Sequence, residues 1–286
     1  MLIANPIYDT VFKHLLQSEK VAKFFISTLL NKTVHSIALR SPEHTYIDPR
    51  DKELKLLRLD FTVEIEEANG QKNKIIIEMQ KADKYSADII RFRKYLGYEY
   101  MSDTLPITSI YILGFNIPGI ETACLRVGRD YYDLIEEREL EFSSKFVERI
   151  THDCYIVQTP RIIGRLKTPL DRLLSVFEQK NFTDKFGSDK LYEHPVTDDA
   201  VKDMLDILHY LSTDPVGRKE LEDERYYREY VEDTFGDLYD KIDEEIHRRI
   251  AAETEIAANK AELATKNAEL AAKDAELAEL KRKLGL

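Results

Sequence analysis

At 286 residues, with 43% hydrophobic and 10% aromatic content, the chain is long enough and apolar enough to bury a sizeable core, and its composition excludes the disordered class. No apolar run reaches transmembrane length, nothing at the start resembles a signal peptide, and two cysteines, Cys124 and Cys154, make no disulfide framework. The expectation is a cytoplasmic protein with reduced thiols and no membrane partner. The net charge of −11 is unevenly spread: residues 1–100 carry 16 basic against 14 acidic side chains, residues 101–200 carry 12 against 17, and residues 201–286 carry 14 against 22. The first part is close to neutral and lacks the basic signature of a tight nucleic-acid binder, without forbidding a DNA partner.

In chain order, residues 8–31 read as one or two helices. Phe12, Leu15 and Leu16, then Val21, Phe24, Phe25, Thr28 and Leu29, fall at helical spacing, with Ser18 as an N-cap. Asp9 and Lys13 are one turn apart, and two readings stand side by side: a surface ion pair, or polar groups beside a site. Val34–Leu39 and His44–Ile47 are short extended segments.

Residues 59–80 read as a β-hairpin. Leu59 to Glu66 alternates apolar and polar residues, Asn69-Gly70 is a turn signal, and Lys74 to Gln80 returns as a β-branched arm. Side chains two apart share a strand face. Phe61, Val63, Ile65, Ile75, Ile77 and Met79 therefore make an apolar face, and Asp60, Thr62, Glu64, Glu66, Lys74, Ile76, Glu78 and Gln80 make the other. A bare two-residue Asn69-Gly70 loop would pair Asp60 with Met79 and put Glu78 on the wrong face. An odd-length loop is required, for example three residues with Gly70 left-handed. The second face is either an ordinary solvated sheet surface or a site. Two carboxylates near a strand end form a hard-oxygen set, which suits Mg²⁺ or Mn²⁺ better than Zn²⁺, with no Cys or His beside them in sequence.

Tyr85–Met101 reads as a helix in which Ile89, Ile90, Tyr95, Leu96 and Tyr98 give an apolar face and Arg91, Arg93 and Lys94 add positive charge. Arg91 and Tyr95 are one turn apart. Pro106 opens an apolar strand, Ile107–Phe115. Thr122–Val127 and Phe146–Val157 suggest two more strands, the latter carrying His152 as a strand histidine rather than a ligand. From Pro169 the pattern is helical: Leu170–Gln179, Asp198–Leu211 and Pro215–Tyr239. His209 reads as a packing residue.

The tail carries three consecutive seven-residue repeats from Ala261, and Leu263, Leu270, Leu277 and Leu284 recur every seven. Such a period predicts a left-handed coiled coil. With the leucines at d, the a positions hold Lys260, Asn267, Asp274 and Lys281, so the seam is weak. The expectation is a self-associating helix and a homo-oligomer of modest strength; a solvated single helix is the other reading.

Asp60 followed by Glu78-Met79-Gln80 on a hairpin resembles the core of PD-(D/E)xK nucleases, with Gln in the Lys position. Further segments follow in order: Asp9-Thr10-Val11-Phe12-Lys13, Arg91-Phe92-Arg93-Lys94-Tyr95, Ile110-Tyr111-Ile112-Leu113-Gly114-Phe115, Tyr155-Ile156-Val157-Gln158-Thr159-Pro160 and Leu208-His209-Tyr210-Leu211-Ser212-Thr213-Asp214. Over about residues 5–240 the chain resembles the bacterial PD-(D/E)xK family transposases, the Rpn-type recombination-promoting nucleases. The resemblance implies an α/β, restriction-endonuclease-like mixed sheet flanked by helices over residues 1–165; the helical pattern gives a helical region over 166–240, and the repeats give an extended helix or coiled coil over 241–286. The resemblance also implies a metal-dependent DNA endonuclease, linked to recombination or mobile elements. Mg²⁺ or Mn²⁺ would be held by Asp60, Glu78 and the Met79 carbonyl, with Gln80 orienting a water and Lys13, Arg91, Arg93 and Tyr95 supporting the phosphate. Gln80 brings no positive charge. The alternative from a different class is a catalytically weakened nuclease fold that acts as an oligomeric interaction module.

Overall fold

A hairpin with its register set by one glycine lies at the centre of the structure. The structure, a computed structural model, describes residues 1–39, 43–47, 54–58, 61–81, 85–102, 104–141 and 144–284. The chain opens with β1 (Leu2–Ala4), α1 (Asp9–Gln17), α2 (Glu19–Leu30), β2 (Val34–Leu39) and a separate two-stranded ladder of β3 (Glu43–Ile47) and β4 (Leu54–Arg58). The hairpin strands β5 (Phe61–Glu67) and β6 (Lys72–Gln80) follow, then α3 (Tyr85–Ser102) and β7 (Ile107–Leu113). Next come β8 (Cys124–Val127), the short pair β9 (Tyr132–Asp133) and β10 (Arg138–Glu139), α4 (Lys145–Ile150) and β11 (His152–Gln158). The remainder is α5 (Pro169–Ser175), β12 (Asp189–Leu191), α6 (Asp199–Thr213) and α7 (Pro215–Leu284).

The main sheet has six strands in the order β2-β5-β6-β7-β11-β8. Its β2-β5-β6 half is antiparallel, β6, β7 and β11 run parallel, and β8 returns antiparallel on β11. Parallel neighbours need a crossover, and α3 supplies the one between β6 and β7. The class is therefore α/β, with a mixed sheet flanked by helices.

In the hairpin Phe61 faces Ile77, Val63 faces Ile75 and Ile65 faces Asn73. Glu67 N donates to Gln71 O at 2.8 Å, which leaves Ala68, Asn69 and Gly70 as a three-residue loop. Gly70 has φ +80°, the left-handed conformation that such a loop requires. A Cβ there would meet nothing within 4 Å, so backbone conformation, and not space, demands the glycine. The loop is the odd-length one that the alternation calls for.

The apolar face packs on helices. Phe12 of α1 meets Phe25 of α2 at 5.7 Å, Phe61 of β5 at 6.4 Å and Phe177 at 6.2 Å, all edge-on, the arrangement favoured by ring quadrupoles. Met204, Leu205 and Leu208 of α6 and Leu173 of α5 are buried in the same cluster. Residues 166–233 thus share one core with the sheet, and the first compact unit runs to Asp233, with no break at 165. The join is also made by hydrogen bonds. β1 pairs with β12, Asn5 Nδ2 donates to Gly187 O at 2.8 Å, and Glu224 of α7 accepts from the Asp9 and Thr10 amides that open α1, at 3.1 and 2.9 Å. The second unit comprises Thr234–Leu286 with Lys84–Ser86. Its part of α7 is one unbroken helix through the three repeats, with Leu263, Leu270 and Leu277 each more than half exposed in this single chain.

Several sequence expectations are corrected. Phe146–Val157 is not one strand: Lys145–Ile150 forms α4, a helix too short to show a period, and β11 starts at His152. His209 is exposed rather than packed, and its Nδ1 contacts Leu2 O at 2.7 Å. Ser18 stands at the N-cap of α2, but its side chain makes no capping bond. The best-capped helix begins instead at Pro169, where Thr168 and Asp171 form a capping box. Thr168→Ala should cost about 1 kcal/mol, measured as a fall in the urea midpoint.

Lys190 on β12 is buried and donates to Val176 O at 2.7 Å and Glu178 O at 2.5 Å. Burial pushes its ammonium from the usual 10.5 down to about 7, against the opposing pull of Glu178. Between these values the unfolded chain holds a proton that the folded chain has released. Stability therefore rises with pH across that window, by up to about 1.4 kcal/mol per pH unit. Lys190→Met should flatten the rise, and urea midpoints of both proteins at pH 7.5 and 9.0 check it.

Candidate functional site

Glu78 and Gln80 occupy alternate positions at the end of β6 and share a face with Lys74, Ile76 and Thr62. That face is not a solvated surface. Thr62, Lys74, Ile76 and Glu78 are all buried, Glu78 to 1% exposure. The cover is α3, with Tyr95, Leu96 and Tyr100 packed on Ile76 and Ile107. Phe92 stacks on Tyr111 of β7 at 4.6 Å. The apolar surface of α3 differs from the expected one, because Ile89 and Ile90 are exposed.

The polar groups under α3 are matched to one another. Lys74 Nζ meets Glu99 of α3 at 2.6 Å, with side-chain exposures of 4% and 3%, and donates to Ser102 Oγ at 2.8 Å. Tyr100 Oη contacts His152 Nδ1 at 2.8 Å, and burial, with Arg129 nearby, lowers the His152 pKa. His152 is thus a strand histidine engaged by the crossover helix.

Tyr111 is the parallel-ladder neighbour of Glu78. Burial, with a smaller push from the Glu78 charge, holds its phenol up at about 12, so it stays a neutral hydroxyl at ordinary pH. The sequence contained the residue but not its place. Only the parallel register of β6 and β7 puts Tyr111 beside Glu78.

The other candidate residues that are described lie apart from Glu78. Asp60 lies outside the described residues, as does the Arg91 side chain. Arg93 is exposed on α3, and Tyr95 belongs to the cluster on Ile76. Lys13 pairs with Asp9 at 2.6 Å, the ion pair foreseen as one reading, on a helix that packs against the opposite, Phe61 face of the sheet. Lys81 follows Gln80 in the chain. Its Nζ is directed to the Tyr8 hydroxyl and to Phe186 O at 3.0 Å, and stands 3.7 Å from the Tyr8 ring centre.

The donor chemistry at Glu78 is that of a hard-oxygen ligand: a carboxylate at a strand end, withdrawn from bulk water. Among the described residues no three His, Cys, Asp or Glu side chains converge on one point. Oxygen donors of this kind suit Mg²⁺ or Mn²⁺ and not the Cys/His sets of structural zinc. Among the described residues no helix is long and apolar enough to cross a membrane. Comparison with protein-family models, with curated proteins and with solved structures finds no match to this chain.

Proposed function

We propose that the chain is a metal-dependent DNA endonuclease of restriction-endonuclease-like fold, connected through its family resemblance with recombination or mobile elements. The observation that supports this most is the hairpin register, which sets Glu78 and Gln80 on one face at the end of β6, beside the end of its parallel neighbour β7. The order helix, three antiparallel strands, crossover helix, parallel strand agrees with such a core, with the β3-β4 ladder as an insertion. Alternation in the sequence gives Asp60 the parity of Thr62, hence of Glu78.

Asp60 and Glu78 would hold Mg²⁺ or Mn²⁺, and the ion supplies Lewis acidity toward a phosphate oxygen and a more acidic water. The protein's own part is to hold that water and the DNA. The Gln80 amide can donate one hydrogen bond and accept another, which orients a water without adding charge. Charge on the phosphate side must come from cations elsewhere, and Arg93 is exposed on the helix that covers this face. Tyr111 contributes a neutral hydroxyl in the same buried face.

Nicking of supercoiled plasmid with Mg²⁺, with Mn²⁺ and with chelator tests the reading. The expected outcome is metal-dependent nicking that is lost in Asp60→Ala and in Glu78→Gln and weakened in Gln80→Ala. Thermal melts would confirm that each variant is folded. A double acid variant that nicks at the wild-type rate would overturn it.

A second reading has its own supporting observations: Glu78 is 1% exposed beneath α3, and the third functional position is Gln80. On that reading the fold is an oligomeric interaction module, and the exposed Leu263, Leu270 and Leu277 face associates with a second copy as a coiled coil. Light scattering of the whole chain against Leu263→Asn/Leu270→Asn/Leu277→Asn would show a fall in mass. Nicking by the wild type would reject the non-catalytic part.

A further inference from the structure

On the sheet face opposite Glu78, at the β8 edge, lies a cavity of about 420 Å³. The ladder fixes the side: Met79 aligns with Ile112, Ile112 with Val157, and Val157 with Cys124, so Cys124 is on the other face from Glu78. The volume is that of a small-molecule site. Its walls are mixed: Cys124, Ile162, Leu170 and Leu174 give an apolar part, and Arg161 and Arg165 line it together with the carboxylates of Glu121 and Asp171.

The two guanidiniums are not equivalent. Arg165 Nε donates at 2.8 Å to Asp171 Oδ1, and Asp171 Oδ2 accepts from the Thr168 amide in the helix cap. That carboxylate is committed to structure. Among the described residues Arg161 is held only through Nη1, at 2.5 Å from Glu121 Oε2, and the Glu121 side chain is 79% exposed. An ion pair with one partner so open to water is weak. The Arg161 Nε is buried and has no hydrogen-bond partner among the described residues. A buried donor without an acceptor is costly, and an incoming oxygen would offset that cost.

We propose that this cavity binds a small carboxylic acid with an apolar body, its carboxylate displacing Glu121 from Arg161 and its apolar part lying against Leu170, Leu174 and Ile162. Glu121 is the resident carboxylate on Arg161. It can be displaced because its pair is solvent-screened, whereas the ligand also removes apolar wall from water. A guanidinium edge takes a carboxylate bidentately, a geometry that a neutral hydroxyl does not match. The site is independent of the Glu78 face and of any nuclease activity.

The test uses the full chain with octanoate and 1-naphthoate as carboxylate probes and octan-1-ol as the neutral control, in calorimetric titrations. Alkylation of Cys124 by iodoacetamide, followed by peptide mass spectrometry, gives a second readout. The two carboxylates are expected to bind at least tenfold tighter than the alcohol and to slow alkylation of Cys124 but not of Cys154. Arg161→Gln should weaken them at least tenfold. Glu121→Gln should tighten them, an effect of opposite sign that damage to the fold would not produce. The inference is overturned if neither carboxylate binds or protects Cys124. It is also overturned if the alcohol binds equally well, or if both substitutions leave carboxylate affinity unchanged.

Discussion

Glu99→Ala is expected to destabilise the first unit by about 3–5 kcal/mol. The Lys74–Glu99 pair joins β6 to α3 with both side chains almost fully withdrawn from water. Removing the carboxylate takes its nearest described counter-charge from the ammonium in a low-dielectric layer beside Ile76 and Ile107, where losing an ion-pair partner is far more costly than in water. Restoring neutrality should restore stability. Lys74→Met with Glu99→Leu is expected to be near neutral, or more stable than wild type by up to about 4 kcal/mol, because the desolvation of both ions is avoided. Urea titrations of the single and double variants measure both values. A single variant that loses less than 1 kcal/mol would show that the layer under α3 admits water.

Gly114→Ala is expected to cost about 3 kcal/mol. Gly114 follows β7 and its amide donates to Gln80 O at 2.7 Å. A Cβ there would lie 2.3 Å from Lys81 O and 2.9 Å from Lys81 Cα and C, all main-chain atoms that cannot rotate away. The ends of β6 and β7 would have to part, and the Gln80–Gly114 bond would stretch or break. The same shift moves Gln80. If the proposed activity holds, nicking should fall by about a hundredfold, the loss typical of a 1 Å misplacement. Gly97→Ala is the control. It lies within α3 with nothing within 4 Å of its added Cβ, and should stabilise by about 0.5–1 kcal/mol. Chemical denaturation of the two variants side by side separates loss of backbone freedom from collision.

The hairpin was legible in the sequence because two local signals agree: alternation fixes which residues share a face, and Asn69-Gly70 fixes where the chain turns. Together they demand the three-residue loop and the left-handed Gly70 that the structure contains. The fate of the polar face was not legible. Lys74, Thr62 and Glu78 have the parity and polarity of solvated residues, and the Glu99 carboxylate that meets the buried Lys74 stands 25 positions away. The neighbourhood of Glu78 likewise depends on Tyr111, placed by a crossover whose register no local pattern encodes. The unity of the first unit was hidden for a similar reason. Part of it rests on three-residue strands, Leu2–Ala4 and Asp189–Leu191, too short to show a period.

The β1-β12 pairing also bears on how the protein is made. Ala4 is synthesised 185 residues before its partner Asp189. At a translation rate of about 5–20 residues per second, the first strand waits roughly 10–40 s for the second to emerge. Throughout that interval Ile3, Ala4 and the α1 residues Phe12, Leu15 and Leu16, all fully buried in the finished fold, are still without their cover from α6. Joining ends so distant along the chain also carries a large loop-closure entropy, which favours late docking. The nascent chain therefore presents the apolar face of α1 and an unpaired strand edge throughout that interval, the window in which chaperones act.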